Sequence, residues 1–228
     1  RDSFTNPRTW GGLLDTQAVG YYPTPACAGK ALVSFIEDQE VDLGGAFVLD
    51  PAAGRGALPL WLSPLGATWI LYEQCSAFIP DLQSLSGEVR CQDSLTEAWH
   101  PRSHVIANPP YGTLLEPFVA KIHAHTRRFG TFGAALIRLQ WLDDGKDRHK
   151  RFRPDVILRL PWRVSYTGGG SPTDTHCWAI WNCPGFGDGI TRTFWADRPA
   201  VSDREKAIHS AMAGNGCAHL QISMALDD

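Results

Sequence analysis

The fold of this 228-residue chain is decided by Val48-Leu49-Asp50-Pro51-Ala52-Ala53-Gly54-Arg55-Gly56. The apolar start of this stretch predicts a buried strand that ends at Asp50, and the glycines predict a tight turn into a helix over residues 57–65. Glycine lets the backbone approach a ligand closely, and open α/β sheets bind ligands at the carboxyl ends of their strands. The stretch therefore predicts one wall of a ligand pocket, although a plain tight turn would use the same residues.

Strand-like and helix-like segments alternate through the first two thirds of the chain, which is typical of a mostly parallel sheet with helices on both faces. The predicted strands are 46–50, 68–73, 89–92, 105–107 and 133–139, and the predicted helix after the fourth strand is 114–128. Strands at 156–160 and 177–181 flank a Gly-rich connection, which predicts a C-terminal antiparallel hairpin. We expect an α/β, Rossmann-like fold in which residues 1–228 form a single domain.

The composition is that of an ordinary globular protein, with 43% hydrophobic and 20% charged residues. No apolar run reaches the length of a membrane span, and no secretion signal is evident, so we expect a cytoplasmic protein. The six cysteines form no CxxC pair, which predicts free thiols and no metal site. A net charge of -3 excludes a generally basic nucleic-acid binder, so such a role needs a local basic patch.

Two acidic residues end the second and third predicted strands, at the edge where the glycine turn lies. Glu73 is suited to accept hydrogen bonds from ribose hydroxyls, and Asp93 is suited to accept one from an adenine amino group. Each acid alone would also suit a solvated strand end. The dinucleotide fingerprint GxGxxG is absent, because Gly54-Arg55-Gly56 continues as Ala57-Leu58-Pro59, and this disfavours a nicotinamide enzyme.

The most specific string in the sequence is Asn108-Pro109-Pro110-Tyr111, which follows the fourth predicted strand. Two prolines stiffen the main chain and remove two amide donors, which leaves carbonyl acceptors facing a ligand. An exocyclic amine that donates to the Asn108 side-chain oxygen and the Pro109 carbonyl can pyramidalise toward an electrophilic methyl group. Tyr111 offers a flat face for a base removed from a helix. A rigid loop that only turns the chain is the structural alternative.

These motifs resemble the adenine-N6 DNA methyltransferases, which are Rossmann-like class I enzymes that use S-adenosyl-L-methionine. Tyr21-Tyr22-Pro23-Thr24-Pro25 resembles their N-terminal cofactor motif, and its position before the glycine turn matches the gamma arrangement. The resemblance implies that the catalytic residues are Asn108, Pro109, Pro110 and Tyr111. It also implies that the residues contacting the cofactor are Tyr22, Thr24, Asp50, Pro51, Ala53, Gly54, Gly56, Glu73, Asp93, Ser94 and Asn108.

A late segment, Arg163-Val164-Ser165-Tyr166-Thr167-Gly168, is similar to phage and prophage members of that family. The resemblance implies that Tyr166 lines the target-base pocket opposite Tyr111, although a hairpin tyrosine also serves as packing. Residues 146–163 hold seven Lys and Arg against two Asp, which predicts a phosphate-binding patch that includes Lys150, Arg151 and Arg163. A solvated loop is the alternative for that segment. Because no separate target-recognition domain is evident, we expect relaxed or short DNA sequence specificity.

Several alternatives remain open on the sequence. RNA adenine methylation requires the same chemistry at the amine, and glutamine methylation in a release factor also uses Asn-Pro-Pro-Tyr to hold a planar amide. Those glutamine enzymes, however, usually carry a separate helical domain and lack an entry motif such as Tyr22 to Pro25. Cytosine-N4 methylation is disfavoured because its enzymes generally carry Ser at the position of Asn108. A catalytically silent nucleic-acid-binding module is the alternative from another class.

Overall fold

The structure, a computed structural model, describes residues 21–85, 88–144, 147–166 and 174–214, together with the backbone of two short strands near the N-terminus. The strands are β1 (Thr9–Trp10), β2 (Leu13–Leu14), β3 (Phe47–Asp50), β4 (Thr68–Glu73), β5 (Glu88–Cys91), β6 (His104–Ala107), β7 (Gly133–Arg138), β8 (Val156–Arg163), β9 (Thr175–Trp181) and β10 (Arg192–Trp195). The helices are α1 (Ala26–Asp38), α2 (Ala57–Trp61), α3 (Ile79–Gln83), α4 (Leu115–Phe129), α5 (Leu139–Asp143), α6 (Arg148–Arg151) and α7 (Asp203–Ala213).

Eight strands form one sheet in the order β10-β8-β9-β7-β6-β3-β4-β5, and β1 pairs separately with β2. Strands β3 to β7 are mutually parallel, whereas β9 runs antiparallel to both β7 and β8. The predicted α/β fold class and the C-terminal antiparallel hairpin are therefore confirmed. The Gly-rich connection of that hairpin, residues 167–172, lies outside the described residues.

Two hydrophobic clusters cover the two faces of the sheet, because successive residues of a strand point to opposite sides. On one face, Val48, Leu71 and Trp178 pack with residues of α1, α2 and α7. On the other face, Leu49, Ile70 and other strand residues pack with residues of α4 and α5. The sheet is thus the middle layer of three, as the near-continuous apolar strands predict.

Some element bounds differ from the sequence prediction. The helix predicted over residues 57–65 ends at Trp61 and is followed by a 3-10 turn, Ser63–Leu65, because Pro64 cannot donate the next helical hydrogen bond. Strand β8 continues past residue 160 through an irregular register to Arg163. The sequence prediction did not include β10, α7, the short helices α3, α5 and α6, or the two-residue strands β1 and β2. None of the described helices is sufficiently long and apolar to cross a bilayer.

Replacing Trp178 by alanine should cost on the order of 3–5 kcal/mol of unfolding free energy. Its side chain is fully buried, and its indole N–H donates to the Ala28 carbonyl at 3.0 Å. The matched control is Trp195→Ala on the edge strand β10, where 63% of the residue surface is exposed and the cost should stay below about 1 kcal/mol. Urea unfolding measures both values, and equal losses would contradict the described packing.

Candidate active site

The ends of strands β3, β4, β5 and β6 meet at one edge of the sheet and line a cavity of about 390 Å³. The parallel register sets Asp50 of β3 beside Leu71 of β4, so the residues that follow both strands lie at the same edge. The cavity is lined by residues of the glycine turn, by residues at the strand ends, by the segment 21–24 and by Asn108, Pro109, Pro110 and Tyr111. The glycine turn and the loop from Asn108 to Tyr111, the two motifs that the sequence singles out, therefore line the same cavity.

The glycine turn needs glycine at two positions for both conformation and space. Gly54 and Gly56 have φ angles of 55° and 83°, which favour residues without a side chain. A Cβ atom on Gly54 would lie 2.3 Å from Cε2 of Tyr21, and one on Gly56 would lie 2.0 Å from Cδ1 of Leu85. Gly54 lines the cavity, whereas Gly56 packs behind it. Gly56 thus shapes the turn without being part of the cavity wall.

The carboxylates of Asp50 and Glu73 both line the cavity at the glycine turn. Glu73 accepts the Gly54 N–H through Oε2 and the Cys75 N–H through Oε1, both at 2.7 Å, and it thereby ties the glycine turn to the end of β4. Asp50 accepts the Ala52 N–H at 3.1 Å. Burial raises the pKa of Asp50 to about 8, and the neighbouring Glu73 adds to that rise. Burial also raises the pKa of Glu73.

The loop after β5 carries Asp93 and Ser94 into the cavity wall and is held by Lys121 of α4. The Lys121 ammonium donates to the carbonyls of Ser94 and Glu97, both at 2.6 Å. Asp93 uses one carboxylate oxygen to accept the Leu95 N–H at 2.9 Å. Beside it, the buried Ser94 hydroxyl and the Gln92 side-chain nitrogen have no hydrogen-bond partner among the described residues. Buried polar groups normally have partners, so these atoms are available to a ligand in the cavity.

The segment 21–25 is anchored through three successive carbonyl oxygens, each bonded to a different side chain. The Asn108 amide nitrogen donates to the Tyr22 carbonyl at 2.9 Å, and the Trp61 indole donates to the Thr24 carbonyl at 2.7 Å. Between them, His209 of α7 contacts the Pro23 carbonyl through Nε2 at 3.2 Å, which makes that nitrogen the donor. These bonds hold Tyr22 and Thr24 against the cavity.

Three tyrosines cluster at the mouth of the cavity. The ring centroids of Tyr22, Tyr111 and Tyr166 lie 5.8 to 6.3 Å apart, and the hydroxyls of Tyr111 and Tyr166 are hydrogen bonded. The Tyr111 and Tyr166 rings meet at 67°, so in this conformation they do not form a parallel slot for a base. Arg138 lies over the Tyr111 ring and forms an ion pair with Asp174, and His176 contacts both rings.

The basic residues on α6 are not among the described residues that line the cavity. Arg151 and the buried Arg148 on α6 both form ion pairs with Glu116 at the start of α4, at 2.7 and 3.1 Å. Lys150 is paired with Asp147, and Lys146 lies outside the described residues. Arg163, by contrast, ends β8 close to Tyr166. The basic segment is therefore a short helix and a strand, not one continuous binding loop.

The sequence prediction did not assign several residues that shape the site. Arg138 could have been found, because it ends β7 at the same sheet edge as the other strand ends. Tyr21 packs on Gly54 and on Phe78, with the two ring centroids 4.8 Å apart. Lys121 and His209 act through contacts far apart in sequence and leave no local signal.

No protein-family model matches the chain, and no curated protein matches it. Among solved structures, the chain is similar to a protein of Pyrococcus horikoshii described as a candidate RNA methyltransferase. That match has a TM-score of 0.53 and 22% identity, and it covers 79% of this chain and 91% of the other. A protein of Thermoplasma acidophilum matches with a TM-score of 0.50 and 16% identity over 68% of this chain and 89% of the other. These similarities support a Rossmann-like α/β fold.

Replacing Asp50 by asparagine should change how stability depends on pH. The pKa of Asp50 is about 8 in the folded chain, against about 3.9 when unfolded. At pH values between these two pKa values, Asp50 is protonated in the folded state and ionised in the unfolded state. This group therefore makes the unfolding free energy fall as the pH rises through that window. Asparagine removes this contribution. As the pH rises through this window, the unfolding free energy of the variant should therefore increase relative to that of the wild type by at most about 1.4 kcal/mol per pH unit.

The control for this experiment is Asp42→Asn. Asp42 is exposed and accepts the Gly44 N–H at 2.9 Å in the same kind of turn. Urea unfolding at a series of pH values from mildly acidic to mildly basic compares the three proteins. Parallel pH profiles for the wild type and Asp50→Asn would rule out the raised pKa of Asp50.

Proposed function

We propose that this protein is an S-adenosyl-L-methionine-dependent methyltransferase that modifies the N6 amino group of adenine in DNA. The observation that carries the proposal is that Asn108 and Pro109 line the same cavity as the glycine turn. An amine held by Asn108 and Pro109 would face a methyl donor held at the glycine turn. The fold is compatible with this chemistry, but a fold hosts many functions, so the proposal rests on the site.

The cavity has the features that an adenosyl cofactor requires. The glycine turn lets the main chain approach a ligand, and Glu73 and Asp93 supply carboxylates at two strand ends. The buried and unpartnered Ser94 hydroxyl offers a further polar contact. We assign Tyr22, Thr24, Asp50 and those residues of the glycine turn that line the cavity to the same cofactor site, with Gly56 shaping the turn behind it. When bound, the cofactor supplies an electrophilic methyl group on a sulfonium centre.

Asn108 would act by positioning and polarising the target amine. Its amide nitrogen donates to the Tyr22 carbonyl at 2.9 Å, which fixes the side chain, and its Oδ1 oxygen accepts a long contact of 3.5 Å from the Tyr111 hydroxyl and has room for a second donor. The Pro109 carbonyl offers a second acceptor in the same loop, which lines the cavity. Two such acceptors draw the amine protons and concentrate its lone pair toward the methyl group. As the methyl group passes from the sulfonium to nitrogen, the amine becomes cationic and acidic enough to lose its proton to solvent, so this mechanism needs no strongly basic side chain.

Tyr111 and Tyr166 would bind the target base after it leaves the helix. Their rings now contact each other edge to face, so entry of a base requires them to part. Burial raises the pKa of both hydroxyls, so both remain neutral donors near neutral pH. The Arg138 guanidinium over the Tyr111 ring would hold that ring in place as Tyr166 moves.

RNA adenine is the alternative substrate, because the Pyrococcus horikoshii protein of similar fold is described as a candidate RNA methyltransferase. Incubation with tritiated S-adenosyl-L-methionine and matched DNA, RNA and release-factor protein separates the alternatives. The proposal expects label in DNA, at N6 of adenine, with relaxed or short sequence specificity across a panel of duplexes. Label confined to RNA or protein would refute the DNA assignment.

Replacing Asn108 by alanine should lower the rate of methyl transfer by on the order of a hundredfold or more, because one acceptor for the amine is lost. Cofactor affinity should change by less than about tenfold, since only the hydrogen bond to the Tyr22 carbonyl is lost on that side. Single-turnover transfer measures the first quantity and calorimetric titration with the cofactor the second.

The matched control is Gln83→Ala, which removes an exposed side-chain amide on α3 outside the cavity. This variant should retain both the transfer rate and the cofactor affinity. An unimpaired rate in Asn108→Ala, or an equal loss in the two variants, would contradict the role of Asn108.

A further inference from the structure

His176 of β9 lies against the two tyrosines that we assign to the target base. Its ring centroid is 5.3 Å from that of Tyr166 and 6.1 Å from that of Tyr111, with interplanar angles of 73° and 67°. In the sheet it pairs in antiparallel register with Arg138 of β7, whose guanidinium lies over the Tyr111 ring. Residues opposite each other in such a pair share one face of the sheet. Because both tyrosine rings contact this imidazole, parting them would uncover it.

The imidazole of His176 holds the buried polar atom of this cluster that lacks a partner. Only 4% of the residue surface is exposed, and Nδ1 has no hydrogen-bond partner in the part of the chain that the structure describes. By comparison, the hydroxyls of Tyr111 and Tyr166 are bonded to each other, and Arg138 is paired with Asp174 at 3.4 Å. Buried polar groups normally have partners, so an unpaired Nδ1 between these two rings indicates a contact point for a ligand.

This imidazole is neutral near neutral pH. Burial lowers the pKa of His176 to about 4 and outweighs the opposing effect of the neighbouring Asp174. A neutral imidazole has one N–H donor and one acceptor nitrogen, and the partners of the ring set which nitrogen carries the proton. Nδ1 can therefore donate to an acceptor atom of a ligand without any change in charge.

Adenine has such acceptor atoms next to its amine. In the proposed mechanism, the Asn108 side chain and the Pro109 carbonyl accept the two amino protons. The ring nitrogens N1 and N7, which lie on either side of the amine, are both acceptors and need a donor. Guanine has an oxygen in place of this amine and a proton on N1. Enzymes that act on a base outside the helix read it by hydrogen bonds to such edge atoms.

We propose that His176 makes the site specific for adenine by donating a hydrogen bond from Nδ1 to N1 or N7 of the target base. This inference rests on the proposed function for the identity of the base. The contact differs from the stacking on Tyr111 and Tyr166, because every base has a face on which a ring can stack, whereas a hydrogen bond reads the edge. His176 is thus a specificity-determining residue and takes no part in the transfer of the methyl group.

The test compares three variants with the wild type. His176→Phe keeps an aromatic ring and removes both nitrogens, whereas His176→Asn keeps an amide nitrogen near the position of Nδ1. The matched control is His149→Phe, which makes the same change at an exposed position on α6. Unfolding midpoints establish that each variant is folded.

The ligands are three short labelled DNA strands that differ in one base. One strand carries a single adenine, and in the others 1-deazaadenine or 7-deazaadenine takes its place. Each analogue keeps the amine and replaces one ring nitrogen by C–H. Single strands are used because the base is then free to enter without unpairing. Fluorescence anisotropy in the presence of S-adenosyl-L-homocysteine measures affinity without methyl transfer.

The wild type should bind the adenine strand about three- to tenfold more tightly than one of the two analogue strands, as expected for one neutral hydrogen bond. In His176→Phe this difference should disappear, because the variant and the analogue remove the two ends of one contact and their effects do not add. His176→Asn should keep part of the difference, and the control should keep all of it. Equal binding of the three strands by the wild type, no binding of the adenine strand, or a full difference in His176→Phe would overturn the inference.

Transfer of tritiated methyl groups to DNA is measured separately, so failures of the two proposals can be told apart. A difference in affinity that is lost only in His176→Phe supports the inference even if no label enters DNA. Label in DNA without any such difference removes the inference and leaves the proposed function intact. If His176→Phe does not fold, His176→Gln takes its place, because its amide lies nearer the position of Nε2 and the difference should again be lost.

Discussion

The parallel hydrogen bonding of β3 to both β4 and β6 is the constraint on which the site depends. Parallel strands place all their carboxyl ends at one edge, so residues far apart in sequence, Asp50, Glu73 and Asn108, come to one cavity. Glu73 then strengthens this arrangement by accepting the Gly54 N–H at 2.7 Å. A shift in the register of β4 would displace both the carboxylate and the turn that it holds.

A second set of bonds completes the cavity wall from outside the sheet. Prolines at 23 and 25 remove backbone donors from the segment 21–25, and its carbonyls remain as acceptors. Asn108, Trp61 and His209 each donate to one of them, so three separate elements hold a segment without regular structure. Asn108 therefore has a positioning contact in addition to its proposed catalytic one, and helix α7 supports the wall through His209.

The sequence was sufficient for features that depend on local pattern. The alternation of strand-like and helix-like segments predicted the sheet and its helices. Because parallel strands have their carboxyl ends at one edge of a sheet, the sequence also predicted that Glu73, Asp93 and Asn108 lie at the same edge. It was insufficient for pairing between distant charges. Residues 146–163 are rich in cations, yet Arg148 and Arg151 are bound by Glu116, over 30 positions earlier in the chain. For the same reason the sequence did not reveal the role of Lys121, whose hydrogen bonds to the loop after β5 join residues 24 to 27 positions apart.

The buried carboxylates at the glycine turn determine which charge the cavity favours in a ligand. Asp50 and Glu73 are buried together, and the pKa of each is raised because ionisation is costly there. A ligand that brings positive charge, such as a sulfonium or an ammonium group, reduces that cost and is favoured in the cavity.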